Sequence, residues 1–307
     1  MVAGYASNDS ACLPAEQQAY LSAMVLQGGP EPADYAILTS HLGTLNRLRE
    51  EGAIASDVLR KALTRLCGPF ASTESLIGHV LAQHRHGDFW IIDAIYRRHI
   101  SGERSLQRWD EYFQSLAAAT AVRARKEFFT AYLEEYSATV PNGRVLILGA
   151  GSCRDVADFL DNTVNPLQFD CVEADASAIA YAMDVCHEHL SNIQFFHQNA
   201  LSFIPSGKYD LVASMGLFDY FRQSLFMKML RRSMRFIHPL GKIVIGNFGP
   251  NPSRDVMGCA GWILYERTAE ELLKLAHTAG VAARQSWVAS EETGVNLFLL
   301  LHNAGTG

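Results

Sequence analysis

The sequence predicts an α/β protein: an all-helical domain over residues 1–140, then a seven-stranded, mainly parallel sheet with an antiparallel last strand over 141–307. Three observations carry this. Between Pro14 and Val140 apolar residues recur at helical spacing without a convincing strand, and beyond Thr139-Val-Pro-Asn-Gly143 strand and helix patterns alternate. The stretch Arg144–Arg154 (RVLILGAGSCR) reads as a short buried strand, a Gly-x-Gly turn and a helix. The last two strands are separated by SEETG alone, too short for a parallel crossover, so they pair antiparallel.

Within the helical region Pro14 and Pro32 each open a helix, as proline suits a first turn. Ile37, Leu38, Leu42 and Leu45 mark the buried side of the second. A further helix is expected over Ser72–Gln83, with a soft start. FWIIDAIYRRH (89–99) is apolar on most of its surface and should be buried. The longest helix is expected from about Ser105 to Tyr136, with Trp109, Phe113, Val122, Phe128, Phe129, Tyr132 and Leu133 on its apolar side. Strands follow near 144–148, 168–173, 193–197, 209–215, 241–248, 281–289 and 295–301, with helices near 153–163, 176–190, 222–236 and 268–279. Gly280 stands where a helix-terminating glycine belongs.

Composition excludes several classes. The chain has 307 residues, 49% hydrophobic and 19% charged, enough to fill a core. A net charge of −6 without a long basic run argues against a nucleic-acid partner, whose phosphates need a positive face. No apolar run approaches the ~18–20 residues of a membrane span. The N-terminal MVAGYASNDSACLP lacks a charged leader followed by an apolar core, so a cytoplasmic location is expected. Cys12, Cys67, Cys153, Cys171, Cys186 and Cys259 have no C-x-x-C spacing and read as reduced, mostly buried thiols. His84/His86 and His187/His189 are two apart, which on a helix sends them to different faces, so no metal site is expected.

The glycine turn sets the chemistry. Gly149 and Gly151 let the backbone approach a ligand, and the next helix offers N–H groups toward it. Glu173 ends the next strand, where an acidic side chain would accept both hydroxyls of a ribose. Together they indicate an adenosine cofactor on a doubly wound sheet. Arg123, Arg125 and Lys126 cluster in the long helix, either as a solvated face or with an arginine, Arg123, turned toward an anionic group.

Across about 144–302 these residues resemble the class I S-adenosylmethionine (SAM) methyltransferases, which implies a Rossmann-like fold. The turn GAGS with Gly149, Ala150 and Gly151 would hold the methionine end, Glu173 with Ala174 the ribose, and Asn199 with Ala200 the adenine. Ser214, Met215 and Gly216 would pass beneath the sulfonium. Family members often have Asp where Asn199 stands, an acidic residue where Ile147 stands, and a third glycine where Cys153 stands. TAVRARKEFF (120–129), DLVASMGLFDYF (210–221) and GNFGPNPSRDVMGCAGWILYERT (246–268) resemble bacterial methyltransferases that make 3-hydroxypalmitic acid methyl ester, a quorum signal.

That resemblance implies a small-molecule acceptor, a carboxyl group being favoured, and it allows a homodimer. A carboxylate is already ionised at neutral pH and needs a donor to fix it, not a base. Arg254, Arg267 and Asn251 are the candidates, Arg254 first because a planar fork suits a carboxylate. The alternative is a nitrogen, sulfur or hydroxyl of a natural-product precursor, and a hydroxyl or amine acceptor would bring forward Asp219 and Tyr220, with Asp219 equally suited to cap the next helix. Tyr220, Trp262 and Tyr265 either line the acceptor pocket or pack. The helical domain is expected to supply that pocket, its apolar segments serving as core or as a sleeve for a lipophilic chain. Two other classes share these features: an NAD-dependent oxidoreductase, opposed by Arg154 where its third glycine would fall, and a SAM-binding protein without turnover.

Overall fold

The computed structural model describes residues 13–66, 75–82 and 87–302. Residues 1–13 read in the sequence as a loose tail; 1–12 of it, with Cys12, Cys67, the helix start at Ser72 and the His84/His86 pair, lie outside the described residues. The helices come first: α1 (Ala15–Leu26), α2 (Tyr35–Glu50), α3 (Ser56–Leu66), α4 (Leu76–Ala82), α5 (Phe89–Tyr96), α6 (Arg104–Ser115) and α7 (Ala117–Thr139). Then follow β1 (Arg144–Leu148), α8 (Arg154–Asn162), β2 (Gln168–Glu173), α9 (Ala176–Val185), β3 (Ile193–His197) and β4 (Tyr209–Ser214). The chain continues as α10 (Gln223–Met234), β5 (Ile237–Phe248), α11 (Arg254–Cys259), α12 (Ala269–Thr278), β6 (Ser286–Ser290) and β7 (Asn296–His302).

The seven strands form one sheet in the order β3-β2-β1-β4-β5-β7-β6. Pairing is parallel from β3 through β5, and β7 runs antiparallel to both its neighbours, as the short SEETG connection requires. Side chains alternate between two buried faces. Leu146, Leu148, Val212, Ile243 and Ile245 pack with Phe226 and Leu230 of α10 and Leu272 and Leu275 of α12. Val145, Ile147, Leu211, Ala213 and Val244 pack with Phe129 and Leu133 of α7 and Val156 and Phe159 of α8. Apolar side chains on both faces are what a covered parallel sheet demands. Strand order reverses between β1 and β4, which opens a crevice beyond their carboxyl ends.

Contacts divide the chain into two compact units, and the division is not a single cut at residue 140. The first draws its described residues from the chain up to Gly87, Arg97–Leu116 and Pro252–Ile263. The second comprises Asp88–Tyr96, Ala117–Asn251 and the chain from Leu264 on. The core of the first contains Leu21, Leu38, Leu45, Leu59, Leu63, Trp109, Val256 and Cys259, and Leu13, expected to be loose, is buried there too. Among the described residues no helix is long and apolar enough to cross a membrane.

α9 ends at Val185 rather than near 190 and β5 starts at Ile237 rather than near 241; three further elements differ from expectation. The long helix breaks at Leu116, whose backbone is extended (φ −61°, ψ 142°). Leu106, Trp109 and Tyr112 before the break belong to the first unit's core, while Phe129, Leu133 and Tyr136 after it belong to the sheet's. One straight helix carries one apolar stripe, so serving two cores requires the break. The sixth strand starts only at Ser286, because Ala283–Gln285 forms a 3₁₀ turn. Arg254–Cys259, which none of the expected helices covers, is helical and buries Cys259 against the first unit's core.

Candidate active site

β1 delivers the chain into a turn with Gly149, Gly151 and Cys153 at φ 71°, 57° and 52°. That backbone region costs an L side chain about 1–2 kcal/mol, which accounts for the two glycines. Cys153, at the position where the resemblance leads one to expect a third glycine, has a glycine-like conformation. The Gly149 and Ala150 N–H groups donate to the Val172 carbonyl at 3.0 and 3.2 Å, tying the turn to the end of β2. A Cβ added at Gly151 would meet nothing within 4 Å, so open space lies against the turn.

Glu173 stands beside that space. One carboxylate oxygen accepts the Gly151 N–H at 3.0 Å, and the other accepts those of Ala174 (2.7 Å) and Asp175 (3.1 Å). The side chain therefore helps to shape the glycine turn, a task its position in the sequence did not reveal. Asn199 is exposed beyond β3, where its side-chain oxygen accepts the Leu201 N–H at 2.8 Å; Ala200 beside it is buried.

The Ser214 hydroxyl at the end of β4 donates to the Leu148 carbonyl at 2.9 Å across the switch point. Met215 is buried, and a Cβ on Gly216 would fall 3.0 Å from an Arg125 guanidinium nitrogen. Arg125 is 4% exposed and donates to the Tyr96 hydroxyl at 3.2 Å. Arg123 is also buried, so neither arginine belongs to a solvated face, but it donates to Thr120 on its own helix. Two residues on a helix are about 200° apart, which puts the two arginines on opposite sides. The sequence singled out the cluster, and only packing separates its members. Lys126 pairs with Asp158.

Asp219 does not cap α10. That helix starts after Arg222 without a side-chain cap, and the Asp219 carboxylate accepts the Phe248 N–H at 2.7 Å. It is 2% exposed, and burial pushes its pKa up to about 7 against the opposing pull of the Phe248 N–H, Arg125 and Arg267. Burial also raises the pKa of Asp155, in the first turn of α8. Burial disfavours the Arg125 charge, yet the Tyr96 hydroxyl, Asp219 and Asp155 raise its pKa.

Arg267 is no carboxylate clamp. Its guanidinium donates to the carbonyls of Phe218, Phe221 and Tyr265 and to the Asn247 side chain, and so joins the loops after β4 and β5. Asn251 donates to Glu266 at 3.0 Å. Tyr265 is partly exposed and accepts from Arg222 at 3.1 Å; Tyr220 is 41% exposed. Arg254 and Trp262 belong to the first unit. The Arg254 side chain is 66% exposed and lies 3.9 Å from Glu50, while Trp262 is buried. Among the described residues no group of His, Cys, Asp and Glu is arranged to hold a metal. Cys153, Cys171, Cys186 and Cys259 are buried, none of them in a disulfide.

Residues 145–241 match the family model of a methyltransferase domain. No curated protein matches the sequence. A possible exported protein of Bordetella parapertussis has a similar structure, at 17% identity and TM-score 0.65 over 97% of this chain and 99% of that one. Magnesium protoporphyrin IX methyltransferase (ChlM) of Synechocystis PCC 6803 with bound S-adenosylhomocysteine (SAH) is similar at 14% identity and TM-score 0.50, over 69% of this chain and 93% of that one. The pyocyanin biosynthetic protein PhzM is similar at 15% identity and TM-score 0.50, over 78% and 68%. Over residues 145–241, then, the chain matches the methyltransferase-domain family, and its sheet with the helical N-terminal region has the Rossmann-like methyltransferase fold.

Proposed function

We propose that this protein is a SAM-dependent methyltransferase of a small-molecule acceptor, with the carboxylate of a hydroxy fatty acid or related acid as the favoured nucleophile. The observation that carries this reading is the open glycine turn set against Glu173 at the switch point, inside the segment that matches the methyltransferase-domain model. Gly149, Ala150 and Gly151 would hold the methionine end, Glu173 and Ala174 the ribose, Asn199 and Ala200 the adenine. Ser214, Met215 and Gly216 would lie under the sulfonium, and the Arg125 guanidinium packs against Gly216. The residues suit such a ligand. A carboxylate has about four acceptor sites, and Glu173 uses three on backbone N–H groups. One site is left for a ribose hydroxyl, and a grip on both hydroxyls displaces the Gly151 N–H.

Bound SAM supplies an electrophilic methyl group on a positively charged sulfur. The chain has to align the acceptor with it and exclude water, and alignment alone can supply roughly 7–11 kcal/mol of the rate enhancement. Asn251 and Tyr265 are the acceptor-side residues of the second unit in this reading. The state of Asp219 supports a carboxylate acceptor: the one base candidate with a raised pKa on the β4 loop is sealed from solvent and holds the Phe248 N–H. The resemblance of 246–268 to ester-forming enzymes supports it independently.

A second reading, methylation of a hydroxyl, nitrogen or sulfur, draws on the same residue. A carboxyl group with its pKa near 7 is matched to general-base work at neutral pH.

Calorimetric titration with SAM, SAH and NAD tests the cofactor. Binding of both adenosyl ligands without NAD is expected, and binding of NAD alone overturns the reading. A homocysteine-release screen of acids, amines and hydroxyl compounds then sorts the acceptors. With a carboxylate acceptor, kcat/KM shows no rise through pH 7 that Asp219→Asn abolishes; such a rise moves the assignment to the second reading.

A further inference from the structure

One short helix reaches both loops of the site. Of the described chain before Ala117, Asp88–Tyr96 alone joins the second unit. α5 within it is FWIIDAIY, apolar apart from the indole N–H, Asp93 and the Tyr96 hydroxyl. Asp93 and Tyr96 are three residues apart and so share a helix face. Asp93 is fully buried. Its two oxygens receive Nε and Nη2 of Arg154, the latter at 3.2 Å, and the second also receives the Tyr181 hydroxyl at 2.6 Å. Arg154 is the first residue of α8 and follows Cys153, so this fork is covalently next to the glycine turn. Tyr181 lies on α9, the helix that leaves Glu173, and its ring meets that of Phe89 at 5.3 Å. One turn along α5, the Tyr96 hydroxyl accepts an N–H from Arg125, whose guanidinium packs against Gly216.

Asp93 is fully buried and the Arg154 side chain 24% exposed, so removing Arg154 would strand the Asp93 charge away from water, and the pair ties α5 to the start of α8. Here the geometry concerns two loops that share one ligand. We propose that α5 clamps the cofactor site, with Asp93 acting through Arg154 and Tyr96 acting through Arg125 as positioning residues for the glycine turn and the β4 loop. This rests on reading the site as a SAM pocket.

Asp93→Asn keeps the shape of the side chain and removes the charge that holds Arg154. Calorimetry with SAH is expected to show affinity about tenfold weaker, the size of one charge-assisted hydrogen bond. With an acceptor from the screen, KM for SAM rises by the same factor while kcat at saturating SAM stays within about twofold, because alignment at the methyl is untouched. Amide exchange of the ligand-free protein gives an arm that does not depend on SAM. Residues 149–155 exchange faster in Asp93→Asn, and 214–217 exchange faster in Tyr96→Phe. If Asp93→Asn does not fold, Tyr181→Phe and Tyr96→Phe each delete a single hydroxyl and carry the same test. A lowered Tm with wild-type SAH affinity and wild-type exchange in these loops makes the contacts purely structural and overturns the clamp. A wild-type protein that binds neither SAM nor SAH overturns the SAM reading instead, and the exchange arm still decides whether α5 holds the loops.

Discussion

Cys153 combines a glycine-like backbone with a buried side chain, and two truncations separate the contributions. Cys153→Ala and Cys153→Gly both remove the sulfur, but only glycine is relaxed at φ 52°. Urea denaturation is expected to find the glycine variant the more stable by about 1 kcal/mol; an alanine variant more stable than the glycine one means that the turn is not strained there. Asp219 gives the second prediction at this scale. Its pKa is about 7 in the folded chain against 3.8 for an ordinary aspartate. Below about pH 4 both states are protonated. Between about pH 4 and 7 the unfolded chain ionises first and binds fewer protons, so stability falls as pH rises and levels off above. Asp219→Asn keeps an acceptor for Phe248 N–H and abolishes this titration. Its stability relative to wild type should climb from pH 4 to 7 by on the order of 4 kcal/mol. Asp110, also raised by burial to about 6, is common to both proteins and cancels in the difference.

Among the elements, α12 has the most explicit start signal. Thr268 accepts the Glu271 N–H at 3.2 Å, and the Glu271 carboxylate accepts the Thr268 N–H at 2.8 Å. Thr268→Ala should cost about 1 kcal/mol in thermal or urea unfolding; no change means the cap is redundant with the packing of Leu272 and Leu275. This helix was legible because its cap and its apolar spacing are local. The break between α6 and α7 was not, since Ser115-Leu116 contains no proline or glycine and both halves are good helices. The break depends on which core each half meets, and that is decided by residues far away in sequence. α5 was legible as a buried helix, and the single acid in its apolar run was the available sign of a specific partner. Arg154 as that partner lies 61 residues on and had no local signature.

At the scale of the molecule, a ligand confined to the loops of the second unit makes a pattern that hydrogen exchange can read. Saturating SAH is expected to slow exchange at 148–155, 172–175, 198–201 and 213–220, the four strand-end segments at the carboxyl edge. It should also raise stability by about 2.7 kcal/mol at 100 times the dissociation constant. Protection at the opposite edge, around Gly143 and Gly207, contradicts the placement of the site. The composition change at 140 marks where strands begin. The compact units follow contacts instead, so α5 and α7 join the sheet and α11 joins the helical unit.

The sequence by itself determined the sheet, its single antiparallel strand and the glycine turn with its acid, because short apolar runs, loop length and backbone permissiveness are written within a few residues. Tertiary structure alone decided the fate of the charged residues. Arg267 and Asp219 became internal ties between loops, Arg123 and Arg125 parted to opposite sides of one helix, and Asp93 and Arg154 found each other across the fold. An apolar side chain is satisfied by any buried surface of suitable shape, so its pattern shows at once where it goes. A charged one inside a protein needs a particular partner at hydrogen-bond distance, and which partner that is depends on how distant segments of the chain are packed.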